Sequence, residues 1–278
     1  MPFRLGANRI GRLVVGALPS PSDPDATAYI SAVTTAGGTL SAGEETAIQD
    51  FYTSLKSTGV YSKLIQMYTF MGGTSSSNAI NLINPGTNDL VFNGTWSHNA
   101  SGSFTAQNNA NYADTGWNTL TNEGIVTESL AWGYQNNDYQ GGIGYMGSGT
   151  SAANYAVLGA EGTNTLDNFN PGNSKITVLG VGGSGGRHLN TMARQSTSSI
   201  YYLGHSPTET VTTTKSISYG GSPYNGNLHV SNINGANFPQ GGRFTFFFIG
   251  DGFSTTDLDN LDTYLDTLNA SFTDRQLI

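Results

Sequence analysis

The sequence predicts a mainly β protein: a two-sheet jelly-roll sandwich, preceded by an N-terminal helical segment and followed by a C-terminal helix. Composition is the first reason. Of 278 residues, 37 are glycine and 11% are charged, under half the roughly 25% usual for a globular domain. With 37% hydrophobic residues the chain is not of the disordered type, and this mixture suits short strands joined by tight turns. The second reason is a series of short apolar or alternating runs between about residues 72 and 252, separated by Gly, Asn, Ser and Pro: LVFNGTW, VTESLAWGY, NYAVLGA, KITVLGV, SIYYLGH, NLHVSNI and RFTFFFIG. About ten to twelve strands at this spacing make a sandwich or jelly roll. The third is that helical periodicity is confined to the two ends.

In chain order, residues 1–22 form a basic, apolar arm and a Pro/Ser linker. Arg4, Arg9 and Arg12 stand there with no acidic residue before Asp23, although the whole chain carries a formal charge of −8. The apolar run LVVGAL (13–18) is shorter than the signal-peptide core of about 7–15 residues and runs into prolines. No segment approaches the roughly 18 apolar residues of a membrane span, so no membrane insertion is expected. Residues 23–71 read as helical. Asp23 caps a helix with Pro24 in its first turn, and Gly37-Gly38 is its stop. Ser41 and Glu44 have capping-box spacing, and Ile48, Phe51, Tyr52 and Leu55 share one face up to Gly59. VYSKLIQMYTFMGG reads as a short helix running into a strand. The segment as a whole reads as a small helical subdomain that packs through its apolar faces.

Residues 72–278 hold the sandwich and the last helix. In SLAWGY, Leu130, Trp132 and Tyr134 fall on one face and Ser129, Ala131 and Gly133 on the other, which is period two. RFTFFFIG is apolar on both faces, so it should be a central strand covered on both sides. Ser254 and Asp257 have capping spacing. Leu258, Leu261, Leu265, Leu268 and Phe272 then form one stripe, with Asp259, Asp262 and Asp266 off it.

The chemistry-bearing motifs argue against catalysis. The acidic balance excludes nucleic acid as a partner of the main body, and the absence of cysteine excludes disulfides and cysteine-ligated zinc. DLDNLD (257–262) fails the EF-hand template, because Leu261 takes the fifth position and Asp262 the sixth, where glycine is needed. GVGGSGG (180–186) lacks the Gly-Lys-Ser/Thr ending of a phosphate loop. His98, His188, His205 and His229 are scattered without metal-ligand spacing. No Gly-x-Ser-x-Gly elbow is present. Glu123 and Glu128, five apart, fall on opposite faces of a regular strand rather than facing one cleft. The expectation is a non-enzymatic protein with no catalytic residue, metal or cofactor. Carbohydrate binding stays open through Trp117, Tyr139 and Tyr145, which stand among Asn, Gly and Gln. The alternative is that such aromatics seal the ends of the sandwich.

Several phrases carry a family resemblance. DPDATAYISAV, then AIQDFYTSLKSTGVYSKLIQMYTFMGG, GSFTAQNNANYADTG, MARQSTSSIYYLG and RFTFFFIGDGFSTTDLDNLDTYL resemble virion structural proteins of tailed bacteriophages, of the fibre, minor tail or head-decoration type. The resemblance covers nearly the whole chain. It implies a concanavalin A-like (LamG-type) jelly roll, and a protein made in the host cytoplasm and carried on the phage particle. It also implies capsid, tail or further copies of the chain as partners, a homo-oligomer, and a host-surface glycan as a possible ligand. Members of that family often repeat the N-terminal strip in tandem, whereas this chain has little more than one copy, which suits an attachment peptide. Arg4, Leu5, Arg9, Ile10, Arg12, Leu13 and Val15 are therefore expected to form an assembly anchor. The apolar residues would add as a strand to a partner's edge, and the arginines would pair with acidic groups there. The alternative function is a lectin-like adhesin or a degraded glycoside hydrolase.

Overall fold

The computed structural model describes residues 22–105, 108, 110–118, 121, 130–136, 146–148, 156–161, 165–167, 177–179, 188–196, 199–205, 210–216, 225–231, 233–234, 242–272 and 275. The N-terminal arm, Glu123, Glu128, Tyr139, Tyr145 and the 180–186 loop lie outside the described residues.

Two helices open the described chain, α1 (Pro24–Thr35) and α2 (Ala42–Ser57). The Asp23 carboxylate accepts from the amides of Asp25 and Ala26 at the start of α1, and Ser41 and Glu44 close a reciprocal capping box on α2. At the end of α1, Gly37 takes φ +80, its amide bonds the Thr34 carbonyl and the Gly38 amide bonds that of Val33. This is a Schellman stop, which needs a left-handed residue and so favours glycine. A 3-10 turn (Tyr61–Lys63) then runs straight into strand β1 (Leu64–Tyr68), as expected.

A one-turn helix, α3 (Ser75–Asn78), precedes the strands β2 (Val91–Asn93), β3 (Trp96–Asn99), β4 (Gly102–Thr105), β5 (Tyr112–Asn118) and β6 (Leu130–Asn136). Next come β7 (Met146–Ser148), β8 (Ala156–Glu161), β9 (Thr165–Asp167), β10 (Thr177–Leu179) and β11 (His188–Ser196). The series ends with β12 (Ser199–His205), β13 (Thr210–Ser216), β14 (Asn227–Val230), β15 (Ile233–Asn234), β16 (Gly242–Asp251) and helix α4 (Thr255–Ala270).

The strands form two sheets. The first has the order β13-β12-β11-β6-β16-β4-β3, with β1 also on β16. The second has the order β10-β9-β8-β7-β14-β5-β2, with β15 on β7. Tyr68, Trp117, Trp132, Met192, Tyr202, Leu228, Val230, Phe244, Phe247 and Ile249 fill the space between them. The protein is thus mainly β, a two-sheet sandwich with helices before and after it.

Helices α1, α2 and α4 cover the outer face of the first sheet and share one apolar cluster with it. Tyr29, Phe51, Leu55, Leu258, Leu261, Leu265 and Leu268 meet Ala131, Ala193, Leu203, Phe246 and Phe248. The leucine stripe of the last helix is buried as its spacing predicted. The N-terminal helices pack through their apolar faces, as expected, and form a third layer on the first sheet. The sandwich also takes in β1, which lies before residue 72 and pairs with β16.

Strand β16 explains how the layers meet. Its register with β6 passes from Phe244↔Asn136 to Phe246↔Gln135, so Thr245 is an extra, bulged residue. The bulge reverses the alternation. Phe244, Phe247 and Ile249 face the second sheet, while Phe246 and Phe248 face the helices. On its other edge β16 pairs first with β4, through Phe244, and then with β1, from Phe247 onward. The change of partner falls at the bulge.

Candidate functional site

The outer face of the second sheet is where polar and aromatic groups gather. Along β5 the residues Ala113, Thr115 and Trp117 are buried toward the core, which places Tyr112, Asp114 and Asn118 on the outer face. Along β14, Leu228 and Val230 point inward and Asn227 and His229 outward. Register then sets the row: Asp114 stands between Val91 of β2 and His229 of β14, and His229 stands opposite Gly147 of β7.

Within this row the Tyr112 ring stacks on the His229 imidazole, with centroids 4.2 Å apart and planes 8° from parallel. Asp114 accepts from the Gly116 amide at 2.8 Å and from Asn227 Nδ2 at 3.2 Å. The first bond turns the strand at Gly116, whose φ of +66 is left-handed. It coincides with the register shift between β5 and β14, which brings Asn227 beside Asp114. Asn118 donates to Asn225 Oδ1 at 3.0 Å and extends the amide array.

His229 is 5% exposed, and its buried Nδ1 has no hydrogen-bond partner. Burial lowers its basicity, while the Asp114 carboxylate, 3.9 Å from Nε2, acts in the opposite direction. The net effect is a lowered pKa, so the imidazole is neutral near pH 7. A flat aromatic, a half-exposed carboxylate and several amides at one point can hold hydroxyl groups, with the amides both donating and accepting.

The placement of the sequence candidates differs from expectation. Trp117 is 1% exposed and packs in the core between the sheets, so it offers no ring face to a ligand. The alternation of YADTGWN decides this: an inward Ala113 and Thr115 carry Trp117 inward with them. Tyr139, Tyr145, Arg4, Leu5, Arg9, Ile10, Arg12, Leu13 and Val15 lie outside the described residues. Tyr112 and Asp114 were in view only as part of the phrase NYADTG, and His229 only as one of four scattered histidines. The alternation of β5 groups Tyr112 with Asp114 on one face without telling which face meets water. Nothing local pointed to their meeting His229.

His98 also sits in a packed site. It meets Phe92 edge-on at 4.6 Å and its Nδ1 lies 2.9 Å from Ser103 Oγ. Burial lowers its pKa too. Both histidines therefore bind protons more weakly in the folded chain than in the unfolded one. Their contribution to stability is complete above the ordinary histidine value of about 6.5 and is lost as pH falls through their folded values. Asp23 and Asp257 do not act in that window. Burial alone would raise both carboxyls, but Lys56 and Lys63 with nearby hydrogen bonds hold them below the usual aspartate value. The melting temperature should thus fall between pH 7.5 and 5, and His229→Gln should flatten that slope. An unchanged slope in both His98→Gln and His229→Gln would contradict this.

No protein-family model and no curated protein sequence matches the chain. Solved structures do resemble it. A Trypanosoma rangeli sialidase mutant displaying trans-sialidase activity superposes with a TM-score of 0.50 at 10% identity, over 82% of this chain and 40% of the sialidase chain. A receptor binding domain gives 0.50 at 10% identity, over 74% of this chain and 52% of that one. Domain 4 of a GH43 extracellular arabinanase from Geobacillus stearothermophilus, in complex with arabinotriose, gives 0.47 at 13% identity, over 72% of this chain and 98% of that one. This chain spans about half or less of the sialidase and receptor-binding chains. What it shares with them is the β-sandwich fold.

Proposed function

We propose that this chain is a non-enzymatic binding protein whose second sheet presents Tyr112, Asp114 and Asn227 to a glycan, with the buried His229 backing the Tyr112 ring. The observation that carries the reading is the joining of a stacked aromatic pair, a half-exposed carboxylate and amide donors on one outer face. Sugar recognition needs an apolar ring face for the pyranose and a few well-placed polar groups for its hydroxyls. Fold alone would not support this, because one fold hosts many functions. The absence of turnover is part of the proposal: Asp89, the carboxylate just before β2 of the same sheet, accepts from the amides of Asn81 and Gly86 on Oδ1 and so has a structural task.

The test is a glycan array followed by calorimetry on the full chain. Tyr112→Ala should weaken binding at least tenfold while circular dichroism stays unchanged. Incubation with the bound glycan should release no product. Failure to bind any glycan, or binding indifferent to Tyr112→Ala, overturns the reading. Turnover abolished by Asp114→Asn would make the protein an enzyme instead.

A second reading concerns where such a protein works. The phrases that resemble phage virion proteins coincide with α1, α2, β1, β4, β5, β11, β12, β16 and α4, and the three helices among them pack together on the first sheet. That coincidence supports a virion structural role, with the N-terminal arm as the anchor to capsid, tail or further copies of the chain. Deleting residues 1–18 should leave a folded body that no longer enters the oligomer or particle. Incorporation at the wild-type level would place the anchor elsewhere.

A further inference from the structure

The basic residues of the strands are distributed with complete asymmetry. Arg194 of β11, Lys215 of β13 and Arg243 of β16 all belong to the first sheet. The strands of the second sheet contain no lysine or arginine, and they contain Asp114, Glu161 and Asp167. Five strands, β14 and β10 included, lie between the candidate face and the far edge of the second sheet, a span of about 19 Å at the usual strand spacing. That is beyond the screening length of about 8 Å at physiological salt.

At the face itself the only basic group among the described residues is His229. Burial lowers its proton affinity, and its Nε2 lies 3.9 Å from the Asp114 carboxylate, beyond hydrogen-bond distance. A ligand carboxylate would meet the half-exposed Asp114 with no guanidinium or ammonium of the described residues to hold it, where charge-assisted pairing is the normal means of binding an anion. A sugar hydroxyl meets the opposite situation. Asp114 accepts a bond on each oxygen, from Gly116 and Asn227, and each carboxylate oxygen has a further lone-pair direction for a donor.

We propose that the Tyr112–Asp114–His229 face takes uncharged glycans and rejects anionic ones, with Asp114 as the discriminating residue. The inference rests on the glycan reading above and assigns the ligand its class.

The experiment is an array in which each neutral oligosaccharide is paired with its carboxylated counterpart, such as N-acetyllactosamine with its sialylated form and xylan fragments with glucuronoxylan fragments. The neutral member of a pair should bind at least tenfold more tightly at pH 7.5 and low salt. Asp114→Asn, which keeps the shape and removes the charge, should narrow that ratio to about threefold or less. Val91→Lys tests the same field without touching the core: Val91 is 60% exposed and stands opposite Asp114 in the register. It should raise binding of the carboxylated members. Equal or tighter binding of carboxylated members by the wild type overturns the inference and leaves the glycan reading intact. A ratio unmoved by both substitutions does the same. No binding to any member overturns the glycan reading and this inference together.

Discussion

Replacing Arg275 by alanine is expected to destabilise the protein by about 3–5 kcal/mol, because three buried acceptors lose this donor at about 1–3 kcal/mol each. Arg275 lies just past the last helix and is 1% exposed. Its Nε donates to Asn269 Oδ1 at 3.2 Å, Nη1 to the Phe70 carbonyl at 3.3 Å and Nη2 to the Thr245 carbonyl at 2.5 Å. Those two carbonyls belong to the seam where β16 changes partner. Thr245 is the bulged residue, and Phe70, just past β1, holds a left-handed φ of +48 that non-glycine residues rarely adopt. The planar guanidinium reaches both carbonyls at once and lies 5.1 Å from the Phe272 ring centroid. A lysine, with one ammonium, cannot span this arrangement, so Arg275→Lys should restore less than half of the loss. Urea unfolding of the three proteins would measure it. A loss below about 1 kcal/mol for Arg275→Ala would mean that the seam closes without the arginine.

Trp117→Ala should cost about 3–5 kcal/mol, the usual range for deleting a large buried aromatic. Trp117→Phe should cost much less, about 1.5 kcal/mol or under. The difference is the apolar volume that phenylalanine keeps and alanine loses; both remove the indole Nε1, which is buried without a hydrogen-bond partner. Phenylalanine keeps most of the apolar volume and removes that unsatisfied donor. Neither phenylalanine nor the lost indole nitrogen should alter glycan binding, since the ring faces the core. If Trp117→Ala left the melting temperature unchanged and abolished binding, Trp117 would be a surface platform after all.

The contrast between Trp117 and Tyr112 shows how far a sequence pattern reaches. Alternation told that neighbours along β5 oppose one another, but not which of the two sets faced water. Both sets contain an aromatic and a polar residue, so hydrophobicity alone was ambiguous there. RFTFFFIG was the opposite case. Apolar residues at every position required cover on both sides, and the helices and the second sheet supply it. Even there the assignment of each phenylalanine to a layer waited on the bulge at Thr245, a defect that arises from pairing with β6.

The sequence by itself determined the class of fold, the helices with their caps and buried stripes, and the centrality of β16. Each follows from residues within a few positions of one another, where backbone geometry sets the spacing of side chains. Only the tertiary structure decided that Asn227 and Asp114, 113 positions apart, share a hydrogen bond, that Tyr112 covers His229, and that Arg275 closes the seam between β1 and β4. Such meetings depend on strand order and register. Those are settled by burial summed over the whole core, and no local pattern encodes that sum.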